Sequence, residues 1–224
     1  MNKNIFVACD VSSQKEILEL LTKIYSEISG IKIGLQYITQ NSLENIRELS
    51  KFEKPIFYDG KFFDIKNTLV ESIKSLKNLN ISYATVHLMN GIDSLKAANE
   101  VANKINVKLL GVSVLTSFNN ADLIQLGFKD NLDQQVLRLI KIADEAKLHG
   151  VICSPMEIKM IKKIAPNLKC FTPGIRQNKD KDDQKRTMNA KQALEAGSDC
   201  LIIGRPITKG DPKKNIQEIL SSLK

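Results

Sequence analysis

Eight short apolar runs punctuate the chain: IFVACDV (5–11), IKIG (31–34), PIFYDG (55–60), YATVHL (83–88), LLGVSVL (109–115), GVICSP (150–155), KCFTPGI (169–175) and CLIIGRPI (200–207). They carry little polar alternation, as expected of strands buried on both faces. Between them, apolar residues recur three and four apart. In SQKEILELLTKIYSEI, Ile17, Leu20, Leu21, Ile24 and Ile28 share one helical face, and Ser13 is placed to cap its start. SLENIRELSKF, NTLVESIKSLKNL, SLKAANEVANKI, NLDQQVLRLIKIADEAKL, MEIKMIKKI, AKQALEAG and PKKNIQEILSSL repeat the spacing, with Gly197 after Ala196 reading as a helix stop. Strand then helix, eight times over, predicts an α/β fold: a single (β/α)8 TIM barrel occupying residues 1–224 as one catalytic domain. An open doubly wound sheet alternates in the same way, but eight strands without a GxGxxG after the first favour the barrel.

Composition adds limits. At 224 residues, 42% hydrophobic and 26% charged, the chain reads as globular, with no disordered tract. Cys9, Cys153, Cys170 and Cys200 sit in or beside apolar runs without CxxC spacing, so buried free thiols in a reducing compartment are expected. The apolar stretch near the N-terminus is too short for a signal peptide and no run reaches transmembrane length, which predicts a cytoplasmic protein with no membrane partner. The formal charge of +8 is spread over lysines on polar faces. Basic residues are not interleaved with aromatics, so no nucleic-acid partner is expected; an anionic small substrate would profit from the same field.

In barrels of this kind the reacting groups sit at the C-terminal ends of the strands. Those ends carry Asp10, Lys32, Asp59 and Lys61, Asp64 a turn beyond, His87, Thr116, Ser154, Thr172 to Arg176, and Gly204 with Arg205. Asp10 could equally cap a helix, and His87 could be a satisfied core histidine. Asp59 and Lys61, two apart, should face the barrel mouth together, with Lys32 on the adjacent strand. Alternating charges over Lys32, Asp59, Lys61 and Asp64 would meet the burial cost that one charge alone cannot, whether as a structural network or as a reaction centre. The loops after strands seven and eight frequently hold phosphate in such barrels, and TPGIR and IIGRPI supply glycines and the forked donors Arg176 and Arg205.

With DGKFFDIKNT (59–68) after strand three, TPGIR after strand seven and GRPIT at strand eight, the chain resembles the orotidine 5′-phosphate decarboxylase family over nearly its whole length. The first segment matches the family's DxKxxDIxNT, and DDQKR (182–186) resembles the stretch bearing its phosphate-loop Gln. The resemblance implies decarboxylation of orotidine 5′-phosphate to UMP and CO2, the last step of de novo pyrimidine nucleotide synthesis, with no cofactor and no metal. It makes Lys32, Asp59, Lys61 and Asp64 the catalytic set, with Lys61 stabilising and then protonating the carbanion at ring carbon 6. Asp10 and Lys32 would hold the ribose, Thr116 and Ser154 would lie near the base, and Arg176, Gln184, Gly204 and Arg205 would hold the phosphate region. Thr68 and Asp64 would come from the other subunit of a homodimer. Gly60 and Lys66 depart from the pattern, where a larger apolar residue and a Pro or Gly are expected. The phosphate-sugar barrels that share DxKxxD and bind Mg²⁺ need an acidic residue near strand two, where this chain offers Lys32.

Overall fold

The computed structural model describes residues 4–176 and 187–223. Eight parallel strands close on themselves in chain order: β1 (Ile5–Cys9), β2 (Gly30–Gly34), β3 (Ile56–Phe62), β4 (Ile81–His87), β5 (Lys108–Val112), β6 (Gly150–Ile152), β7 (Lys169–Thr172) and β8 (Cys200–Ile203). The ring is sealed by β1 on β8, where Ile5 pairs with Leu201 and Val7 with Ile203. The predicted barrel is therefore the observed one. Every residue of β1 and of β2 is buried, which is why these strands read as unbroken apolar runs.

The connecting helices are α1 (Gln14–Ile24), α2 (Leu35–Gln40), α3 (Leu43–Glu48), α4 (Lys66–Lys74), α5 (Ile92–Lys104), α6 (Asn120–Gln125), α7 (Leu132–Glu145), α8 (Ile158–Ile164), α9 (Ala190–Glu195), α10 (Arg205–Thr208) and α11 (Pro212–Ser222). Ser13 caps α1 by accepting the Glu16 N–H, and Ile17, Leu20, Leu21 and Ile24 form its buried face. Ile28 lies past the helix end but is still buried. Asn131 opens α7 through a reciprocal capping box with Gln134.

Several predicted strands run too far at their C-terminal ends. The run 5–11 leaves the ladder after Cys9, 109–115 after Val112, 150–155 after Ile152 and 200–207 after Ile203. Apolar character persists because side chains past the ladder still pack into the outer core; Val114 and Cys153 remain buried outside any strand. Arg205–Thr208 is helical rather than extended, since Pro206 lacks the N–H a strand needs and its fixed φ suits a first helical turn.

Side-chain alternation divides the apolar residues into two cores. Outward positions such as Ile5, Val7, Ile31, Ile33, Ala84 and Val86 pack against the helices. Inward positions fill the barrel: Phe6, Ala8, Phe57, Leu110, Phe171, Cys200 and Ile202, with Tyr83 against them. Phe6, Phe57, Tyr83 and Phe171 form a plug of rings with centroids 5.2–6.4 Å apart, mostly edge to face. The four cysteines are free and buried. No helix among the described residues is long and apolar enough to cross a membrane.

Candidate active site

Following the inward positions toward the C-terminal ends leads from rings to charges. Phe6 and Ala8 are succeeded by Asp10, Gly30 by Lys32, Phe57 by Asp59, and Tyr83 by Thr85. Asp10, Lys32 and Asp59 floor a cleft of about 210 Å³ at the barrel mouth, with Thr85 buried behind Asp59. Its wall includes Val112, Ile152 and Ile202, and Thr116, Gly174, Arg176, Gly204 and Arg205 lie around it. Among the described residues, four cationic and two carboxylate side chains line this space, a balance that favours an anionic occupant.

The charges alternate. Lys32 Nζ lies 2.9 Å from Asp10 Oδ1 and 3.5 Å from Asp59 Oδ2, and Lys61 Nζ lies 2.9 Å from the same Asp59 oxygen. The other Asp59 oxygen accepts the Thr85 hydroxyl at 2.9 Å. Burial disfavours the charged form of Asp59, but Lys32, Lys61 and the donated hydrogen bonds outweigh it and hold the carboxyl below its usual range. Burial likewise works against the Lys32 ammonium, yet Asp59 and Asp10 prevail and raise its pKa. Both groups therefore stay ionised at neutral pH. Gly34 makes room for this pairing, since a Cβ there would stand 3.1 Å from Asp10 Oδ1 and 3.2 Å from Lys32 Nζ.

Lys61 does not reach the cleft by plain strand alternation. Tyr58 pairs with Ala84 and Phe62 with Val86, so Asp59, Gly60 and Lys61 together oppose Thr85 alone. This bulge carries Lys61 at φ 48°, a left-handed conformation. Gly60 sits inside it, where a Cβ would come within 2.7 Å of the Tyr58 ring, itself stacked on Phe62. A larger residue at this position would have to displace the Tyr58 ring.

Of the residues singled out in the sequence, Asp10, Lys32, Asp59, Lys61, Thr116, Arg176, Gly204 and Arg205 line one cleft. Asp64 and Thr68 do not join them within the chain; both are exposed. Asp64 Oδ1 accepts its neighbour's N–H from Ile65 at 2.7 Å, and its own N–H donates to Asn90 Oδ1. Ser154 is fully buried away from the cleft lining, its hydroxyl accepting the Met156 N–H and its N–H donating to Glu157. Gln184 lies outside the described residues. His87 is half-buried, Nδ1 accepting the Met89 N–H, and its pKa is lowered first by burial and then by Lys61. Among the described residues no group of three or more His, Cys, Asp or Glu side chains converges as metal ligands would.

Two participants were not singled out in the sequence. Asn90 donates to the Phe62 and His87 carbonyls, stapling the ends of β3 and β4 beneath Asp64. Thr85 is a hydroxyl in mid-strand, and its parity with Tyr83 and His87 is the signal that would have found it.

Comparison with known proteins bears on the same residues. Residues 3–219 match the model of a family described as orotidine 5′-phosphate decarboxylase / HUMPS. The orotidine 5′-phosphate decarboxylase of Ehrlichia canis (strain Jake) is 38% identical over 221 residues, covering 98% of this chain and 97% of the relative. That of Wolbachia pipientis subsp. Culex pipiens (strain wPip) is 36% identical, covering 98% of each. The crystal structure of orotidine 5′-phosphate decarboxylase from Lactobacillus acidophilus superposes with a TM-score of 0.86 at 30% identity, covering 99% of both chains.

Proposed function

The chain belongs to the orotidine 5′-phosphate decarboxylase / HUMPS family, and from that premise we propose that it converts orotidine 5′-phosphate to UMP and CO2 in pyrimidine nucleotide synthesis. The observation that carries the reading is the run of charges from Asp10 through Lys32 and Asp59 to Lys61 on the floor of a cleft rimmed by Arg176 and Arg205. In the Mg²⁺-dependent reading of DxKxxD an acidic group is required on β2; Lys32 stands there, buried and ion-paired.

The chemistry follows from the charges. Breaking the bond between ring carbon 6 and the carboxylate leaves its electron pair on a carbon with no carbonyl placed to delocalise it. An ammonium aimed at that carbon stabilises the pair as it forms and then delivers a proton. Lys61 is the group in this role. Asp59 holds it in place, and Lys32 keeps Asp59 ionised while binding the ribose hydroxyls with Asp10. Thr116 approaches the base, with Ser154 supporting that side from below. Arg176, Gly204, Arg205 and Gln184 take the phosphate, whose binding energy serves positioning far from the bond that breaks.

Asp64 and Thr68 complete the site of a second subunit. Support for this lies in their exposure beside an apolar surface: Phe63 is 60% exposed, Ile65 74% and Met89 47%, an arrangement that suits burial against another copy. The test of function is direct. The purified protein should deplete the absorbance of orotidine 5′-phosphate and release CO2, and Lys61→Ala should abolish turnover while leaving UMP binding measurable. Turnover in that variant at the wild-type rate would remove Lys61 from the reaction.

A further inference from the structure

The bulge in β3 needs a partner for what it displaces. Three residues, Asp59, Gly60 and Lys61, face one residue of β4. The Lys61 N–H is thereby taken out of the ladder, and its φ of 48° is a conformation that L-residues rarely adopt. Thr85 answers both needs with one hydroxyl. Its Oγ1 accepts the Lys61 N–H at 2.8 Å and donates to Asp59 Oδ1 at 2.9 Å. The residue is fully buried, so no solvent competes for either bond.

The consequence falls on the carboxylate plane. With Oδ1 occupied by Thr85, Asp59 presents Oδ2 to both Lys61 at 2.9 Å and Lys32 at 3.5 Å. The same hydroxyl therefore fixes where the Lys61 chain begins, through its backbone, and where its ammonium ends, through Asp59. His87, two residues further along this strand, has its Nδ1 engaged by the Met89 N–H. We propose that Thr85 is a positioning residue for the reaction, setting the Lys61 ammonium by clamping the backbone of Lys61 and the carboxylate of Asp59 at once. The proposal rests on the decarboxylase reading and assigns to β4 a part in it that the DxKxxD segment alone does not contain.

Thr85→Val keeps the shape of the side chain and removes both bonds, whereas Thr85→Ser keeps both. Displacing a reacting group by about an ångström costs on the order of a hundredfold in rate. Thr85→Val should accordingly lower kcat for orotidine 5′-phosphate about a hundredfold, with KM and UMP affinity changed by less than roughly threefold. Thr85→Ser should return kcat to within about tenfold of wild type. A Thr85→Val enzyme with wild-type kcat, a change confined to KM, or a Ser variant as impaired as the Val variant would overturn the assignment. Should the Val variant fail to fold, Thr85→Ala against Thr85→Ser in the same assay reads the same difference. An inactive wild-type protein would count against the decarboxylase reading instead. A crystal structure of Thr85→Val then decides the positioning role without turnover: a rotated Asp59 carboxylate or a Lys61 backbone out of the left-handed region supports it, and an unmoved pair refutes it.

Discussion

Asp59→Asn removes the carboxylate that Lys32 and Lys61 share while preserving its shape and its ability to accept from Thr85. At an effective dielectric of about 20, the pairs at 2.9 Å and 3.5 Å amount to attractions of roughly 6 and 5 kcal/mol. Desolvation of several kcal/mol per ion offsets much of this, and breaking a buried pair by removing one member costs about 3–5 kcal/mol in measured cases. Two features place Asp59→Asn toward the lower end. Lys32 retains Asp10 at 2.9 Å, and the Lys61 side chain, 34% exposed, can turn to water. A loss of about 3 kcal/mol corresponds to a fall in Tm of roughly 6–12 °C for a chain of this size. Lys61→Ala should cost far less, under about 1 kcal/mol, because Asp59 keeps Lys32 and Thr85. Thermal melts of the three proteins followed by circular dichroism, with refolding checked, make the comparison. The pH dependence adds a sign. The Asp59 pKa is lowered in the fold, so its contribution is present above the unfolded value of about 3.9 and is lost as pH falls through the folded value. The Lys32 pKa is raised, so its contribution holds below about 10.4 and is lost only as pH rises through the folded value. The gap between wild type and Asp59→Asn should thus be flat from about pH 5 to 10 and close in acid. An Asp59→Asn protein as stable as wild type at pH 7, or a Lys61→Ala protein equally destabilised, would show that the network is not held together through Asp59.

Arg205→Ala should weaken UMP binding by roughly 10- to 100-fold, the worth of one charged hydrogen bond, and leave uridine binding unchanged; calorimetry with both ligands checks it, and equal losses for the two would take Arg205 away from the phosphate. Mixing inactive Lys61→Ala with inactive Asp64→Ala should restore up to about a quarter of wild-type turnover, the statistical share of intact shared sites in a dimer. No recovery after demonstrated subunit exchange would rule out sharing. His87 should titrate below 6.5 by NMR as the Nε2–H tautomer, since burial and then Lys61 lower its pKa while Nδ1 accepts the Met89 N–H. Its contribution to stability is accordingly lost as pH drops below about 6.5, and a midpoint at or above that value would contradict the environment described.

The barrel was legible because strands buried on both faces write their positions as continuous apolar runs, and the helices between them as apolar residues three and four apart. Where strands ended was less so. Val114 and Cys153 stay buried after the ladder stops, and hydrophobicity records burial rather than hydrogen bonding. The charged residues at the strand ends stood out for the opposite reason, since Lys32 and Asp59 have no cheap place in an apolar run. What escaped was register. The order DGK does not disclose that three residues of β3 oppose one of β4; nothing in it marks Thr85 off from an ordinary strand residue, and the shared face of Asp59 and Lys61 reads as alternation although a bulge produces it. The separation of Asp64 from the cleft in the single chain was equally invisible in spacing, because it turns on the path of the loop after β3.

The ring plug of Phe6, Phe57, Tyr83 and Phe171 closes the barrel axis beneath Lys32 and Asp59. Electrically it is an insulating floor. Among the described residues, the open side of the charged cleft above it is the mouth, where Arg176 and Arg205 lie. An anion seated there would displace screening water and strengthen the interactions along the row of charges in a single event, so that occupancy would itself set the dielectric around Lys61.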